Sequence, residues 1–193
     1  VVSAQFVRRC EMRAARLNTW VLIVTTAYLA LGFGAQQWAR AHVLRQAQCA
    51  GVGIDTVGVW NTPFNIAAWR AVLMGPDGYH VGYFSLLGNG QLTFTHYPSA
   101  PELLASVRNT PHVARLAWFT KGFYAVSREG EQIIMRDLRM GLEPDHYVFA
   151  FAVAGTDAGT IEARAPVRVA PAPYRPQDWR ALRDRVLGVP LDQ

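Results

Sequence analysis

The chain has 193 residues, of which 51% are hydrophobic and only 17% are charged, a charged fraction below the roughly one quarter of ordinary globular domains. Five arginines against one glutamate in the first 40 residues account for +4 of the net charge of +5, so the remainder lacks the basic stripe that phosphate binding requires and we expect no nucleic-acid partner. Because the chain begins with Val1 rather than Met, we expect it to be part of a longer or processed protein.

An uncharged segment at residues 17–39 predicts a membrane-spanning helix. Its most apolar part, residues 17–35, covers roughly 28 Å at about 1.5 Å per residue, close to the thickness of a hydrocarbon core. Trp20 and Trp38 lie near the two ends, where amphipathic rings prefer the headgroup region. A buried core helix and a signal peptide are the alternatives. The signal peptide fits less well because the apolar run is long and no small-residue cleavage pattern follows it.

The charges beside this segment predict its orientation. Four arginines precede the span, whereas only Arg40 and Arg45 follow it closely, so the positive-inside rule places the N-terminal flank in the cytoplasm. The domain after the span would then face the periplasm or the cell exterior, with the lipid bilayer as a partner. Cys10 and Cys49 lie at opposite ends of the span, which excludes an intrachain disulfide between them.

The residues after the span predict a small antiparallel sheet. A helical extension at residues 36–50 is followed by glycines that break it. Apolar or aromatic runs at residues 64–74, 79–87 and 91–97 are separated by glycine-containing turns, which predicts a meander of three strands. Prolines at 101 and 111 introduce two short helical patterns, and residues 123–138 predict a hairpin. Residues 147–154 predict the last of about six strands.

The predicted fold class is therefore α+β, with one N-terminal transmembrane helix, a small antiparallel-sheet domain with one or two short helices, and a C-terminal amphipathic helix. The predicted parts are residues 1–50, 51–154 and 155–193. Four prolines within residues 155–176 predict an extended, poorly packed connection. The helix predicted at residues 177–188 either packs on its own domain or lies on the bilayer surface.

Four polar residues within otherwise apolar stretches are the candidate site. Asn65 and Arg70 lie in a hydrophobic run, and Asp137 and Arg139 bracket Leu138, so that alternation in a strand would project them on one face. Burial of such charges costs several kcal/mol unless they are paired. A pair such as Arg70 with Asp137 would resolve this cost. The alternatives are a structural ion pair that sets strand register and a polar pocket in which Arg70 or Arg139 holds an anionic group.

No motif in this chain predicts a metal, a cofactor or a catalytic constellation. The five histidines lack an i, i+4 partner or an HExxH carboxylate, although His80 and His96 are placed to meet across neighbouring strands. The sequence also has no nucleophile elbow and no glycine loop of the phosphate-binding type. The residues themselves therefore predict no reaction.

Four blocks of sequence nevertheless resemble a known family. The blocks are TPFNIAAWR (residues 62–70), DGYHVGYFSL (77–86), RLAWFTKGFYAV (115–126) and DLRMGLEP (137–144). In this order they resemble the C-terminal portion of the YdjM-like, LexA-regulated metal-dependent hydrolases of the bacterial inner membrane. The resemblance spans most of residues 17–154.

This resemblance implies a place in a larger protein. In that family a membrane-embedded N-terminal half carries the histidine and aspartate motifs that are thought to bind metal. Those motifs are not in this chain, so no metal ligand is transferred to any of its positions. The resemblance implies the last transmembrane helix and the extramembrane domain of such a hydrolase, with upstream transmembrane helices as neighbours and a divalent metal in the full-length protein. The alternatives are a non-enzymatic extracytoplasmic binding or assembly module, and a self-contained enzyme that uses Asp137 and the arginines.

Overall fold

The computed structural model describes the backbone of residues 2–62, 68–86, 92–143, 146–157, 159–173, 175, 179–180 and 183, and the side chains from residue 14 onward. The chain divides into two compact units, Val1–Ala39 and Arg40–Gln193. The first unit is helical, and the second contains antiparallel sheets and a short helix. This architecture confirms the predicted α+β class.

Helix α1 (Val2–Cys49) is continuous through the predicted span and its extension. Its stretch Ala14–Cys49 is long enough and apolar enough to cross a membrane. The large apolar side chains between residues 17 and 33 are exposed, unlike those of a core helix. The hydroxyl of Thr25 donates a hydrogen bond to the carbonyl of Val21 at 2.8 Å, which satisfies this polar group within the helix. Helix α1 therefore has the properties of a membrane anchor.

The first sheet is a four-stranded antiparallel meander, β1 (Thr56–Asn61), β2 (Ala68–Gly75), β3 (Gly78–Ser85) and β4 (Phe94–Pro98), in that spatial order. The three predicted strands are present, and β1 is an additional strand that the glycines around it concealed. A tight turn joins β2 to β3. In this turn Gly78 has φ of 139°, and a Cβ there would collide with the carbonyl oxygen of Tyr97.

The connection between the two sheets is helical. A single 3-10 turn (Pro101–Leu104) precedes helix α2 (Pro111–Thr120), which confirms a short helix at the second proline. Pro111 occupies the first helical turn, where its missing N–H costs nothing. Val113 of α2 is buried together with Leu104 against the second sheet. These apolar contacts cover one face of that sheet.

The strands of the second sheet are β5 (Tyr124–Glu129), β6 (Gln132–Asp137), β9 (Ala150–Asp157) and β10 (Thr160–Arg168). Their spatial order is β10-β9-β6-β5. Between them β7 (Gly141–Leu142) and β8 (His146–Tyr147) form a two-stranded ladder. The prediction of about six strands was too low, because the described residues form ten. The expected poorly packed connection is extended, but β10 within it pairs with β9. Of the predicted C-terminal helix, the described residues Trp179, Arg180 and Arg183 are helical, and the rest lies outside the described residues.

The second unit is built in layers. Val43 and Ala47, from the end of α1, are fully buried within this unit. Val72 of β2 and Tyr79 and Val81 of β3 lie on one face of the first sheet. On this face they pack against Phe123 and Leu138. The layer between the two sheets is therefore apolar, and any charge placed in it needs a partner.

Candidate functional site

Arg70 is a buried cation in the layer between the two sheets. It lies in the middle of β2, opposite Trp60 of β1 and Tyr83 of β3. Its guanidinium donates to both carboxylate oxygens of Glu143, through Nη2 to Oε1 and through Nε to Oε2, the latter at 3.4 Å. Its Nη1 donates to the carbonyl oxygen of Leu138 at 2.5 Å. All three directions of the guanidinium are therefore used inside the protein.

The partner predicted for Arg70 was wrong. Asp137 is opposite Tyr124 in the β5–β6 ladder, and this face of the second sheet packs against α2 rather than against the first sheet. The next residue, Leu138, points into the layer between the sheets. Because side chains alternate along a strand, Asp137 cannot share that layer with Arg70. Glu143, which comes from the turn after β7, supplies the carboxylate instead.

Three tyrosines surround the same carboxylate. The hydroxyl of Tyr83 donates to Oε2 of Glu143 at 2.6 Å, and the hydroxyl of Tyr147 donates to Oε1 at 3.3 Å. The hydroxyls of Tyr79 and Tyr147 are hydrogen-bonded to each other at 2.8 Å. We call Arg70, Glu143 and the three tyrosines the Arg70–Glu143 centre. Within it a buried carboxylate accepts hydrogen bonds from one cation and two phenols, which offsets the cost of removing it from water.

The electrostatics of this centre favour one ionisation state. Burial is the largest single influence on the pKa of Arg70 and lowers it, but the attraction of Glu143, Tyr83 and Tyr147 together with the hydrogen bonds to Glu143 outweighs burial, so the pKa is raised above its usual value. Burial raises the pKa of Tyr79 to about 12 and also raises the pKa of Tyr147. Arg70 therefore stays charged at neutral pH, while both of these phenols stay neutral donors.

Asp137 and Arg139, two of the candidate residues, form a separate contact near α2. Asp137 accepts hydrogen bonds from the backbone N–H of Arg139 at 2.9 Å and from its Nε at 3.0 Å, with Nη2 to Oδ2 at 2.7 Å. The hydrogen bonds to Asp137 raise the pKa of Arg139. Its guanidinium lies 4.8 Å from the ring centre of Phe119. Asp137 and Arg139 thus share one side, as predicted, and bind each other, whereas Asn65 lies outside the described residues.

Glu143 and the three tyrosines were not among the residues predicted for the site. Glu143 stands in a Gly-Leu-Glu-Pro turn, where a carboxylate is usually solvated, yet its side chain is only 1% exposed. Tyr79, Val81 and Tyr83 are every second residue of β3, so their side chains lie on the same face of the sheet as Arg70. A useful signal was the spacing of these tyrosines, because hydroxyls on the apolar face of a strand require partners. The partner itself was not readable, since 73 positions separate Arg70 from Glu143.

His80 and His96 meet across β3 and β4, as their positions indicated. They are directly opposite in the ladder, with ring centres 4.8 Å apart. Burial, and to a lesser extent His96, lowers the pKa of His80, whose Nδ1 is buried without a partner among the described residues. No group of three metal-ligating side chains occurs in the part of the chain that the structure describes.

Known proteins were compared with the chain in three ways. No model of a protein family, no curated protein and no solved structure matches it. The contacts of Arg70, Glu143 and the tyrosines describe an internally satisfied polar centre within the second unit.

Proposed function

We propose that this chain is the membrane-anchored C-terminal portion of a metal-dependent hydrolase of the bacterial inner membrane, with its sheet domain on the periplasmic side. In this proposal the metal site belongs to the upstream half of the protein. The sheet domain supports that half by shaping access to it or by recognising substrate. The apolar, exposed character of α1 supports the anchoring, and the arginine-rich N-terminal flank supports the orientation.

One observation carries the family part of the proposal. The four sequence blocks that resemble the hydrolase family are far apart in the chain, but each contributes to the Arg70–Glu143 centre or to the apolar side chains around it. The contributions are Arg70 from residues 62–70, Tyr79 and Tyr83 from 77–86, Phe123 and Ala125 from 115–126, and Leu138 and Glu143 from 137–144. Separate blocks that each contribute to one buried centre are what a shared domain architecture would produce.

The contacts of the centre favour a supporting role over a catalytic one for these residues. The side chains of Arg70 and Glu143 are 5% and 1% exposed, and their hydrogen bonds are directed at each other, at two phenols and at the Leu138 carbonyl. A substrate anion would have to displace Glu143 to reach the guanidinium. The anion-holding role considered for Arg70 is therefore not part of the proposal.

Metal analysis of purified protein tests the proposal. The full-length protein, extracted in detergent, is expected to carry a divalent metal in stoichiometric amount, and this chain purified in the same way is expected to carry none. The comparison uses the same chelator wash for both, because adventitious metal on surface histidines is removed by it. A full-length protein without stoichiometric metal would refute the hydrolase assignment.

A non-enzymatic binding or assembly module is the second candidate, and one observation favours it. The side chain of Trp118 on α2 is 79% exposed beside Phe119, which is unusual for large aromatic rings unless they contact a partner. Absence of metal from the full-length protein, together with a loss of partner binding when Trp118 is changed to Ala, would support this candidate instead.

A further inference from the structure

The outer face of α2 combines exposed aromatic and basic side chains. Val113 and Thr120 are buried, whereas Ala114, Arg115 and Trp118 follow one another on the outer side of the helix. Lys121, the residue after the helix, is also exposed. We call Ala114, Arg115, Trp118, Phe119 and Lys121 the α2 patch.

The two aromatic rings of the patch differ in how they are held. Phe119 is about half-exposed, with the guanidinium of Arg139 over its ring and the ring of Phe149 at 6.3 Å in an edge-to-face arrangement. Trp118 projects further and is 79% exposed. Within the patch, Phe119 is therefore held by neighbouring side chains, and Trp118 is the more exposed ring. An indole in this position has an apolar body and one N–H donor, which suits the interface between water and lipid.

The chain segment that contains the patch carries charge of one sign. Between Glu102 and Glu129 the chain carries Arg108, Arg115, Lys121 and Arg128 and no acidic residue, although the chain after residue 40 is almost neutral as a whole. The nearest carboxylate in the contacts described above, Asp137, is bound to Arg139 and buried. Among the described residues neither Arg115 nor Lys121 forms an ion pair. The free positive charge of this face is therefore concentrated beside its exposed tryptophan.

The backbone of Lys121, at the end of α2, has an unfavourable conformation, and its side chain is exposed. Lys121 has φ of 53°, a left-handed conformation that glycine or asparagine adopts more easily, and it is the one non-glycine residue with positive φ in the described part of the chain. Its N–H donates to the carbonyl of Trp118 and so closes the helix. A lysine at a position that favours glycine is consistent with a use for its charge.

We propose that the α2 patch binds the surface of a bilayer that contains anionic lipids, an inference that rests on the proposed membrane anchoring. The exposed indole enters the headgroup region, and Arg115 and Lys121 bind lipid phosphates. Anchoring by α1 keeps the domain at a high effective concentration near the bilayer, so a small patch suffices. A protein partner of the patch would need acidic side chains and an apolar seat together, whereas an anionic bilayer offers both everywhere on its surface.

Spin labelling of the full chain in vesicles tests this inference. Cys10 and Cys49 are changed to Ser, and a nitroxide is attached to a cysteine at Ala114, which leaves every other member of the patch intact. A matched chain carries the label at Val167 of β10, which is 64% exposed. Both are reconstituted into vesicles of phosphatidylcholine alone and of an equal mixture of phosphatidylcholine and phosphatidylglycerol. The accessibility of each label to oxygen and to a water-soluble nickel chelate is then measured by power saturation.

We expect the label at position 114 to gain oxygen accessibility and lose nickel accessibility in the anionic vesicles, while the label at position 167 stays accessible to nickel. Changing Arg115 and Lys121 to Gln should lower the ratio of bound to unbound patch by about 30-fold, because each basic residue contributes independently to attraction by anionic headgroups. Circular dichroism melting curves identical to those of the parent chain show that these changes leave the fold intact.

Two results would overturn the inference while the anchoring stands. In the first, the chain floats with anionic vesicles, but the label at position 114 stays as accessible to nickel as the label at position 167. The patch is then in water and not at the lipid surface. A label shielded from both reagents has a protein contact, such as a second copy of the chain, in place of lipid. A chain that does not float with vesicles at all refutes the anchoring itself, and flotation is measured before labelling.

Discussion

The buried ion pair between Arg70 and Glu143 joins the first sheet to the turn between β7 and β8. Two buried charges cost several kcal/mol in desolvation, and their attraction repays this cost only when the remaining lone pairs and protons are also satisfied. Here two phenols and a carbonyl complete the set. Removal of one partner therefore leaves the other charged group buried and unpaired, which is more damaging than removal of both.

We expect Glu143→Gln and Arg70→Met each to destabilise the chain by about 3–5 kcal/mol, and the double change to cost clearly less than the sum. The measurement is urea unfolding in detergent, followed by tryptophan fluorescence. Glu129→Gln is the matched control, because Glu129 pairs with Arg136 but its side chain is 50% exposed. That change should cost about 1 kcal/mol or less. Additive losses in the double variant would contradict a direct pair.

His80 makes stability depend on pH in the mildly acidic range. Its pKa in the folded chain lies below the ordinary value of 6.5, so the unfolded chain binds more protons between the two values. The contribution of His80 is present above the ordinary pKa and is lost as the pH falls through the lowered folded pKa. Thermal melting should therefore shift to lower temperature on acidification, and His80→Gln should reduce this shift. An unchanged pH dependence in that variant would refute the role of His80.

Helix α2 ends under strain that one substitution should remove. A non-glycine residue in the left-handed region costs roughly 1–2 kcal/mol, and Lys121 occupies that region at the helix end. Lys121→Gly is expected to raise the free energy of unfolding by about 1 kcal/mol, since part of the gain is lost to the greater freedom of glycine when unfolded. Lys121→Ala removes the same charge but keeps the strain, so it should give no gain. Equal effects of both changes would show that charge, not backbone conformation, decides stability there.

Strands β1 and β10 show where local patterns mislead. Gly58 in the middle of β1 indicated a break, but a Cβ at this position would collide with the ring of Trp60, so the absent side chain makes room for the indole. In β10 the side chains are mostly exposed and Pro166 lies within the strand, which resembles a loop. Its backbone nevertheless pairs with β9, because hydrogen-bonding groups at a sheet edge need partners whatever the side chains are.

The orientation of the whole chain in the membrane depends on charges outside the span. We expect an alkaline phosphatase fused to the C-terminus of the full-length protein to be active and a reporter that requires the cytoplasm to be inactive there, because the proposed orientation places the four arginines before the span in the cytoplasm. The control changes Arg8, Arg9, Arg13 and Arg16 to Gln, which should weaken this preference. An active cytoplasmic reporter on the unmodified protein would reverse the topology.

The sequence by itself determined the features that are encoded locally. Twenty or so uncharged apolar residues specify a helix that can cross a bilayer, whatever follows them. Turn residues around Gly75 and Gly130 specify hairpins, because the backbone conformation they permit is decided within four residues. The candidate residues Arg70, Asp137 and Arg139 were identified in the same local way, as charges within apolar strands.

Only the tertiary structure decided how these charges are paired. Asp137 and Glu143 are both downstream carboxylates, and the choice between them depends on which face of β6 is turned towards the first sheet. That face is set by the packing of α2 on one side and of β2 and β3 on the other. Pairing across 73 positions follows from this packing and from the cost of an unpaired buried charge, neither of which a window of neighbouring residues contains.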